Sequence, residues 1–289
     1  MATVARAGEI DGGAIQVRAT RDRQLLRAFL EQDRLFAAYA ICDLDEREFP
    51  RTKWGVAEER GNTVAVALEY TGLSPQPLFV MGEPRGIAAI LADVIRPRVA
   101  YLAAQANQLA DVGQQYRIQP GPLMVRMAVD RATFRPFPGA ATRILPSEIG
   151  DLNRLYNLGF TSWLPGGSLS NGVYFGIRVG GRLLAAAGTH VISPEARLAC
   201  VGNVMTHADY RGRGFAKIVT GAVTAELLRT CDHVVLNVRA DNPPAIAAYR
   251  ALGYHEHVRF EERLAVRRSP RWDSIWAPLR RFISPHQED

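Results

Sequence analysis

Arginine and glycine alternate in a short segment, Arg211-Gly-Arg-Gly214, whose chemistry suits an anion. A run rich in apolar residues, Leu198 to Thr206, precedes it, and apolar residues at helical spacing follow from Phe215 to Ala225. This pattern predicts a strand, a turn and a helix. Glycines let the backbone turn sharply and leave unpaired N–H groups at the helix start, where the helix dipole also favours negative charge. The segment therefore predicts a phosphate-binding loop.

The loop differs from the two commonest phosphate-binding motifs. A Walker loop would continue with Lys and Ser or Thr after Gly214, and a dinucleotide fingerprint would have a third glycine where Lys217 stands. The segment Arg211-Gly-Arg-Gly-Phe-Ala216 instead resembles the pyrophosphate loop of the GNAT acyltransferase superfamily, whose pattern is Arg/Gln-x-x-Gly-x-Gly/Ala.

A second motif follows this loop and its helix. The run from His233 to Val238 predicts an apolar strand, after which Asn242 can cap a helix that Gly253 can end in a left-handed conformation. The segment from Asn242 to Tyr254 resembles the pattern Asn-x-x-Ala-x-x-x-Tyr-x-x-x-Gly-Phe/Tyr of the same superfamily, with Tyr249 at the tyrosine position. With both motifs in the family's order, the chain is identified as a member of the GNAT superfamily.

The resemblance implies an acetyl-CoA-dependent N-acyltransferase, which moves an acetyl group to an amine acceptor by direct attack on the thioester. It also implies an α/β (α+β) fold of two GNAT-like domains, each with a mixed, mostly antiparallel central sheet flanked by helices. In this family the fourth strand diverges from the fifth and its backbone binds the pantetheine arm, which corresponds here to Gly202 to Thr206. The implied coenzyme A-binding residues are Val204, Met205, Thr206, Arg211, Gly212, Arg213, Gly214, Phe215, Ala216, Asn242 and Tyr249.

Acyl transfer also requires an oxyanion donor and a proton donor. A positioned N–H beside the thioester carbonyl lowers the barrier, and losing such a donor costs about 10²–10³ in rate; the resemblance places it at Met205 or Thr206. It implies that the Tyr249 phenol protonates the leaving thiolate. The alternative is that Tyr249 is a core tyrosine on its helix.

The attacking amine must lose a proton, because an alkyl amine has a pKa of about 10.4. GNAT enzymes often use a glutamate on the fourth strand, and the run from Leu198 to Thr206 contains none. His190 and His207 are the substitutes, with Glu195 behind them. The alternative for each histidine is a hydrogen-bonded strand or turn residue.

The N-terminal half resembles the family in the order of its elements only. A helix is predicted from Arg21 to Ala40, followed by a hairpin, a strand, a helix and a strand. Between Leu78 and Ile95 no phosphate-loop pattern occurs, and Glu83-Pro-Arg-Gly86 is the nearest substitute. We interpret this half as a degenerate GNAT-like domain, with an unrelated α+β domain as the alternative.

Domain boundaries follow from a break in the pattern at Phe134 to Gly139, which contains two prolines and a glycine. Residues 1–135 form the predicted degenerate domain, residues 140–266 the acetyl-CoA-binding catalytic domain, and residues 267–289 a basic tail. The tail is predicted to pack on the protein as a strap, and an amphipathic helix for a membrane or partner is the alternative.

The acceptor site is expected along the segment from Tyr156 to Ser170. Tyr156, Phe160, Trp163 and Tyr174 suggest an aromatic rim, although large aromatics are more often core. The acceptor is expected to be a small-molecule or peptide amine whose identity the sequence does not show.

Composition limits the other possibilities. The net charge of +6 would suit a polyanion, but a basic surface on a soluble protein explains it, so no nucleic-acid partner is expected. The three cysteines predict neither a disulfide framework nor a metal site. No membrane span or signal peptide is apparent, which predicts a cytoplasmic location. The protein is expected to be a monomer or a homodimer. A non-catalytic acyl-CoA-binding sensor or scaffold and a mycothiol-synthase-like transferase remain the alternative functions.

Overall fold

A computed structural model describes residues 14–157 and 167–268. The elements of the N-terminal half are β1 (Gln16–Thr20), α1 (Arg23–Leu30), α2 (Ala38–Cys42), β2 (Thr52–Glu59), β3 (Asn62–Tyr70), β4 (Gln76–Gly82), α3 (Pro84–Asp93), β5 (Val99–Ala104), α4 (Leu109–Gln115), β6 (Tyr116–Ile118) and β7 (Leu123–Asp130). Those of the C-terminal half are β8 (Thr142–Arg143), α5 (Ile149–Tyr156), α6 (Gly167–Ser170), β9 (Tyr174–Val179), β10 (Arg182–Ser193), β11 (Leu198–Thr206), α7 (Phe215–Leu227), β12 (His233–Arg239), α8 (Pro243–Ala251) and β13 (His255–Arg267).

The strands of the described residues form one 13-stranded sheet. Its order is β1-β2-β3-β4-β5-β13-β7-β12-β11-β10-β9-β8, with β6 beside β13. Only two neighbouring pairs in this sheet are parallel, β4 with β5 and β11 with β12. The prediction of a mixed, mostly antiparallel sheet flanked by helices is confirmed.

The two halves exchange their last strands. β7 precedes the predicted boundary in sequence, yet it pairs antiparallel with β12 of the C-terminal half. β13 ends the C-terminal half and pairs with β5 of the N-terminal half. β7 and β13 also pair with each other at the centre of the sheet. The predicted boundaries at 135 and 140 remain a prediction, and the exchange joins both halves into a single sheet.

Helices cover the two faces of the sheet. On one face, Leu26 and Leu30 of α1 and Ile41 of α2 form a buried cluster that includes Leu198 and Cys200 of β11. On the other face, the side chains of α7 and α8 are buried against alternate residues of β11 and β12, including Val219, Tyr249, Leu252, Ala199, Val201 and Leu236. Burial of each large apolar side chain contributes about 1.5–3 kcal/mol. The sheet is thereby a rigid support with distinct surroundings on each side.

The predicted continuous helix from Arg21 to Ala40 is wrong, because the chain turns within it. Asp22 caps α1 by accepting hydrogen bonds from the amides of Gln24 and Leu25, and α1 ends at Leu30. A 3₁₀ turn, Glu31–Asp33, follows, and the Asp33 carboxylate accepts a hydrogen bond from the Phe36 amide. Acidic side chains that bind nearby amides compete with helix continuation. The turn directs α2 across β10 and β11, which it contacts.

Candidate coenzyme A and acceptor site

A gap opens between β11 and β12. Their parallel pairing ends where Val201 meets Leu236, although β11 continues to Thr206 and β12 to Arg239. The predicted divergence of the strand after Gly202 is confirmed. Within residues 14–157 and 167–268, backbone groups on the β12 side of this stretch have no strand partner. Strand edges of this kind pair with extended ligands.

A β-bulge lies at the start of the gap. Gly188 of β10 is opposite Gly202, and Ala186 is opposite Met205, so β11 has one residue more than β10 between these pairs. Asn203 lies at the bulge and has a φ of 52°, a left-handed conformation that asparagine tolerates better than most residues. Tyr156 donates a hydrogen bond to the Asn203 carbonyl at 2.6 Å. The bulge therefore sets the orientation of the strand that follows.

The register decides which amides face the gap. The His207 amide donates to the Leu184 carbonyl of β10 at 2.8 Å. Successive amides of a strand point to opposite sides, so Thr206 directs its N–H into the gap and Met205 directs its own toward β10. Of the two oxyanion donors left open by the sequence, the geometry favours Thr206. Its hydroxyl Oγ1 is also buried without a hydrogen-bond partner in the part of the chain that the structure describes.

The arginine-glycine loop connects this strand to α7. Gly212 and Gly214 have φ values of 76° and 81°, which glycine adopts without steric cost. The first intrahelical bond runs from the Ile218 amide to the Gly214 carbonyl at 3.1 Å. The amides of residues 215–217 thus have no partner within the helix, and no side chain caps it.

The charges around the loop complete its fit to a diphosphate. Arg211 and Arg213 are exposed, and neither forms an ion pair with another described residue. Arg213 lies 4.8 Å from the Tyr210 ring centroid, which restrains the guanidinium beside the helix start. Free amides, two unpaired guanidinium groups and the buried Thr206 hydroxyl form a donor set that fits coenzyme A.

Tyr249 and Asn242 lie on α8, beside this gap. Tyr249 is in the same buried cluster as Val201, with Val204 and Phe215 packed against it. Burial raises the pKa of Tyr249 to about 12, so its phenol is protonated at neutral pH. The Asn242 side chain accepts a hydrogen bond from the Ala245 amide at 3.3 Å and caps the helix. The structure therefore packs Tyr249 of α8 in one cluster with Val204 of β11 and Phe215 of α7, whereas Asn242 has a capping role at the start of α8.

The three base candidates have different surroundings. His190 lies on β10, with hydrogen-bonding atoms of Tyr39 and Asn203 at its two ring nitrogens. His207 follows β11, and Arg182 Nη2 lies 3.3 Å from its Nε2. Glu195 forms ion pairs with Arg23 at 3.1 Å and Arg27 at 2.9 Å. Only His190 is bonded to the bulge, which makes it the best placed of the three.

Surroundings lower the pKa of His190 below its ordinary value. Desolvation by protein atoms is the larger cause, and the hydrogen bond with Asn203 partly opposes it. An edge of the residue nevertheless remains exposed to solvent. The imidazole is therefore neutral at neutral pH and can accept a proton.

Aromatic residues of the predicted acceptor rim divide into two groups. Tyr156 and Tyr174 are 2% exposed and belong to the cluster around α5. Phe160 and Trp163, with the rest of the segment at residues 158–166, lie outside the described residues, as does the predicted tail beyond residue 268. A depression of about 720 Å³ lies at the end of β12, lined by Arg239–Asp241 and by residues 120–123 of the N-terminal half.

The sequence did not predict three linked polar side chains of the central strands, those of Arg126, Asn237 and Glu262. Arg126 is 3% exposed on β7 and donates to Asn237 Oδ1 at 2.7 Å. Asn237 in turn donates to Glu262 of β13 at 3.2 Å. The signal was a single arginine within the apolar run of β7, since a buried charge needs a partner.

Family comparison matches the stretch that contains both motifs. Residues 145–254 match the model of the family described as Acetyltransferase (GNAT) family. These residues form a GNAT acetyltransferase domain. No curated protein matches the chain in sequence. No helix among the described residues combines the length and apolar character needed to cross a membrane.

Solved structures share the fold across both halves. A Drosophila protein superposes with a TM-score of 0.63 at 14% identity, covering 88% of this chain and 98% of its own. A GCN5-related N-acetyltransferase from Sphaerobacter thermophilus gives 0.57 at 16% identity, covering 87% and 94%. A tandem GNAT protein from the clavulanic acid biosynthesis pathway gives 0.54 at 13% identity, covering 89% and 99%. At these identities the likeness concerns the fold of the GNAT domain and of the half that precedes it.

Proposed function

We propose that the GNAT domain transfers an acetyl group from acetyl-CoA to a small-molecule or peptide amine. The observation that carries the proposal is the continuity of the gap and the loop. The strand edge that opens after Val201 leads, through Thr206, directly to the free amides at the start of α7. An extended ligand with a diphosphate at one end matches that arrangement.

Each group at the gap has a role in this reaction. Acetyl-CoA supplies the activated acetyl group as a thioester. The Thr206 amide faces the position where negative charge develops on the carbonyl oxygen, and a preorganised donor there lowers the barrier. Tyr249 holds the proton for the departing sulfur, and His190 is the base that is protonated when the amine loses its proton, directly or through a neighbouring group.

A binding experiment and a turnover experiment test the proposal in sequence. Calorimetry on the full chain should detect binding of acetyl-CoA and of coenzyme A. A panel of amine acceptors, with detection of free thiol, should then release coenzyme A with a subset of the amines only. Absence of binding would overturn the proposal at its first step.

A sensor or scaffold that binds acyl-CoA without turnover is the second candidate. The observation that favours it is the lack of a carboxylate on β11, where Leu198 to Thr206 contains none. Tight binding of acetyl-CoA together with no thiol release across the whole panel would support this candidate over the enzyme.

A further inference from the structure

A chain of hydrogen bonds crosses from the sheet to α2. Tyr174 donates to the Thr189 carbonyl at 3.1 Å, and a carbonyl can only accept. The Tyr174 oxygen is then the acceptor for Asn203 Nδ2, also at 3.1 Å. This arrangement leaves Asn203 Oδ1 as an acceptor.

The direction of these bonds assigns the tautomer of His190. Its Nε2 lies 3.1 Å from Asn203 Oδ1, so Nε2 has the proton and donates. In a neutral imidazole the other nitrogen then has a free lone pair. Tyr39 Oη lies 2.8 Å from His190 Nδ1 and donates its hydroxyl proton to it. One carbonyl on β10 thus determines the proton positions as far as Tyr39.

His190 and Tyr39 lie at the gap between β11 and β12, on the face of the sheet opposite α7. A Cβ added to Gly202 would overlap the His190 ring, so the ring packs directly on the backbone where β11 diverges. Residues alternate between the two faces of a strand, and Cys200 belongs to the cluster of α1 and α2. Gly202 and the ring are therefore on the α2 side, whereas Val201 packs with α7 and α8.

We propose that Tyr39, which belongs to the N-terminal half, receives the proton of the attacking amine and passes its own to His190. The proposal rests on the proposed acyl transfer. The acceptor attacks as the neutral amine. As its nitrogen lone pair bonds to the acyl carbon, one N–H bond breaks and an O–H bond forms at Tyr39. The former hydroxyl proton moves to His190 Nδ1, the imidazole becomes an imidazolium, and the exposed edge of the ring returns the proton to water.

Arg126 holds Tyr39 in the position that this relay requires. The guanidinium carbon lies 5.1 Å from the Tyr39 ring centroid. Arg126 itself donates to the carbonyls of Leu35 and Phe36 at 3.1 and 2.7 Å, and to Asn237. A cation over an aromatic ring contributes about 0.5–2 kcal/mol. The Tyr39 ring is therefore restrained by a residue of β7, one of the two strands exchanged between the halves.

Tyr39 acts through a neutral hydroxyl. Burial is the main cause that raises its pKa well above the ordinary value, and Cys200, Glu262 and Cys42 raise it further, while Arg126 lowers it. A tyrosinate is therefore not present at neutral pH. The hydroxyl gives up one proton and gains another in the same step, so no charge accumulates on the phenol.

The experiment compares Tyr39→Phe with the parent chain, using acetyl-CoA and the fastest amine of the panel. Loss of an acid–base group costs about 10²–10⁴-fold, so kcat should fall at least about 10²-fold with the KM for acetyl-CoA unchanged. Tyr70→Phe is the matched control, because it removes a hydroxyl that donates to Glu48 at 2.6 Å, away from the gap. His190→Gln combined with Tyr39→Phe should cost little more than either alone.

A second readout needs no acceptor. Long-range ¹H–¹⁵N spectra of the full chain should show His190 protonated at Nε2, and Tyr39→Phe should shift its Nδ1 resonance toward that of an unbonded nitrogen. Any one of three results would overturn the relay: a proton on His190 Nδ1, an unchanged kcat in Tyr39→Phe, or additive losses in the double variant. If the protein still binds acetyl-CoA and turns over an amine, these results leave the proposed transferase activity standing. Missing acetyl-CoA binding, or no turnover with any amine, overturns the transferase itself and the relay with it.

Discussion

Burial of the Tyr249 side chain determines the protonation state in which it would take part in the proposed reaction. Burial raises its pKa to about 12, so the phenol retains its proton wherever the enzyme is assayed. We predict that Tyr249→Phe lowers kcat about 10²-fold, a typical cost of losing a general acid, and leaves the Kd for acetyl-CoA nearly unchanged. Steady-state kinetics and calorimetry measure the two quantities.

Tyr254 supplies the matched control for that substitution. Its hydroxyl is buried in the same cluster, 2.7 Å from Thr224 Oγ1, and has no place in the proposed reaction. Tyr254→Phe should keep kcat within a few-fold of the parent. Equal losses in both variants would show that packing rather than proton transfer explains the effect.

Gly214 tests the diphosphate contact. Its φ of 81° costs a residue with a Cβ about 1–2 kcal/mol, so Gly214→Ala should lower the free energy of unfolding by about that amount. The free and bound states share this cost, so the affinity of Gly214→Ala for coenzyme A should stay close to that of the parent chain. Gly214→Asp adds a carboxylate at the proposed diphosphate site, and like charges cost several kcal/mol. We predict at least about a 100-fold loss of affinity in calorimetry. Similar affinities of the two variants for coenzyme A would show that the diphosphate does not bind at this loop.

The pH dependence of turnover follows from His190. Its pKa in the folded chain is lowered by burial, so the neutral, proton-accepting form persists below the ordinary value of about 6.5. We predict that the midpoint of the acidic decrease in kcat lies below that value. A profile of kcat against pH, with calorimetry confirming that acetyl-CoA stays bound, measures this limb. A midpoint above about pH 6.5 would assign the acidic limb to another group.

Elements differ in how far local chemistry determines them. The loop and the cap at Asn242 were predicted from the sequence, because glycine conformations and helix capping depend on neighbours in the chain. The helix from Arg21 to Ala40 was predicted wrongly, since hydrophobic spacing there continues across the turn that Asp33 stabilises. The position of His190 beside the bulge also could not be predicted, because it depends on the register of two strands.

The turn between β4 and α3 gives a prediction for the N-terminal half. Pro84 begins the helix without an N–H, and the carboxylate of Glu83 stands at its start, paired with Arg85 at 3.0 Å. Gln108 donates to the Gly82 carbonyl at 3.1 Å and covers the end of β4. A negative, covered helix start does not attract a diphosphate. We predict one coenzyme A per chain by calorimetry, and a stoichiometry of two would contradict this interpretation.

At the scale of the whole molecule, the exchanged strands make each half incomplete alone. A fragment of residues 140–268 lacks β7 and leaves the edge of β12 unpaired, which favours aggregation. We predict that this fragment is insoluble, whereas the full chain unfolds in urea as one cooperative unit. Coincident transitions by circular dichroism and tryptophan fluorescence would measure this, and two separated transitions would contradict it.

The strand order also could not be read from the sequence. Most strands were recognisable as apolar segments, although β6 and the polar, alternating β13 were not predicted. Pairing partners far apart in the chain leave no local pattern. β5 and β13 are an example: they pair antiparallel from Ala104 and Glu261 to Val99 and Val266, although they lie far apart in the sequence. The likeness of the two halves predicted two sheets of similar design, and the continuous sheet emerged only from the structure.

The exchange has a consequence for synthesis on the ribosome. β5 emerges long before its partner β13, and β7 long before its partner β12, so the growing polypeptide displays open strand edges until β12 and β13 leave the exit tunnel. Such edges invite association with neighbouring nascent chains. Efficient production should therefore depend on elongation speed through the second half, and on chaperones that shield extended segments.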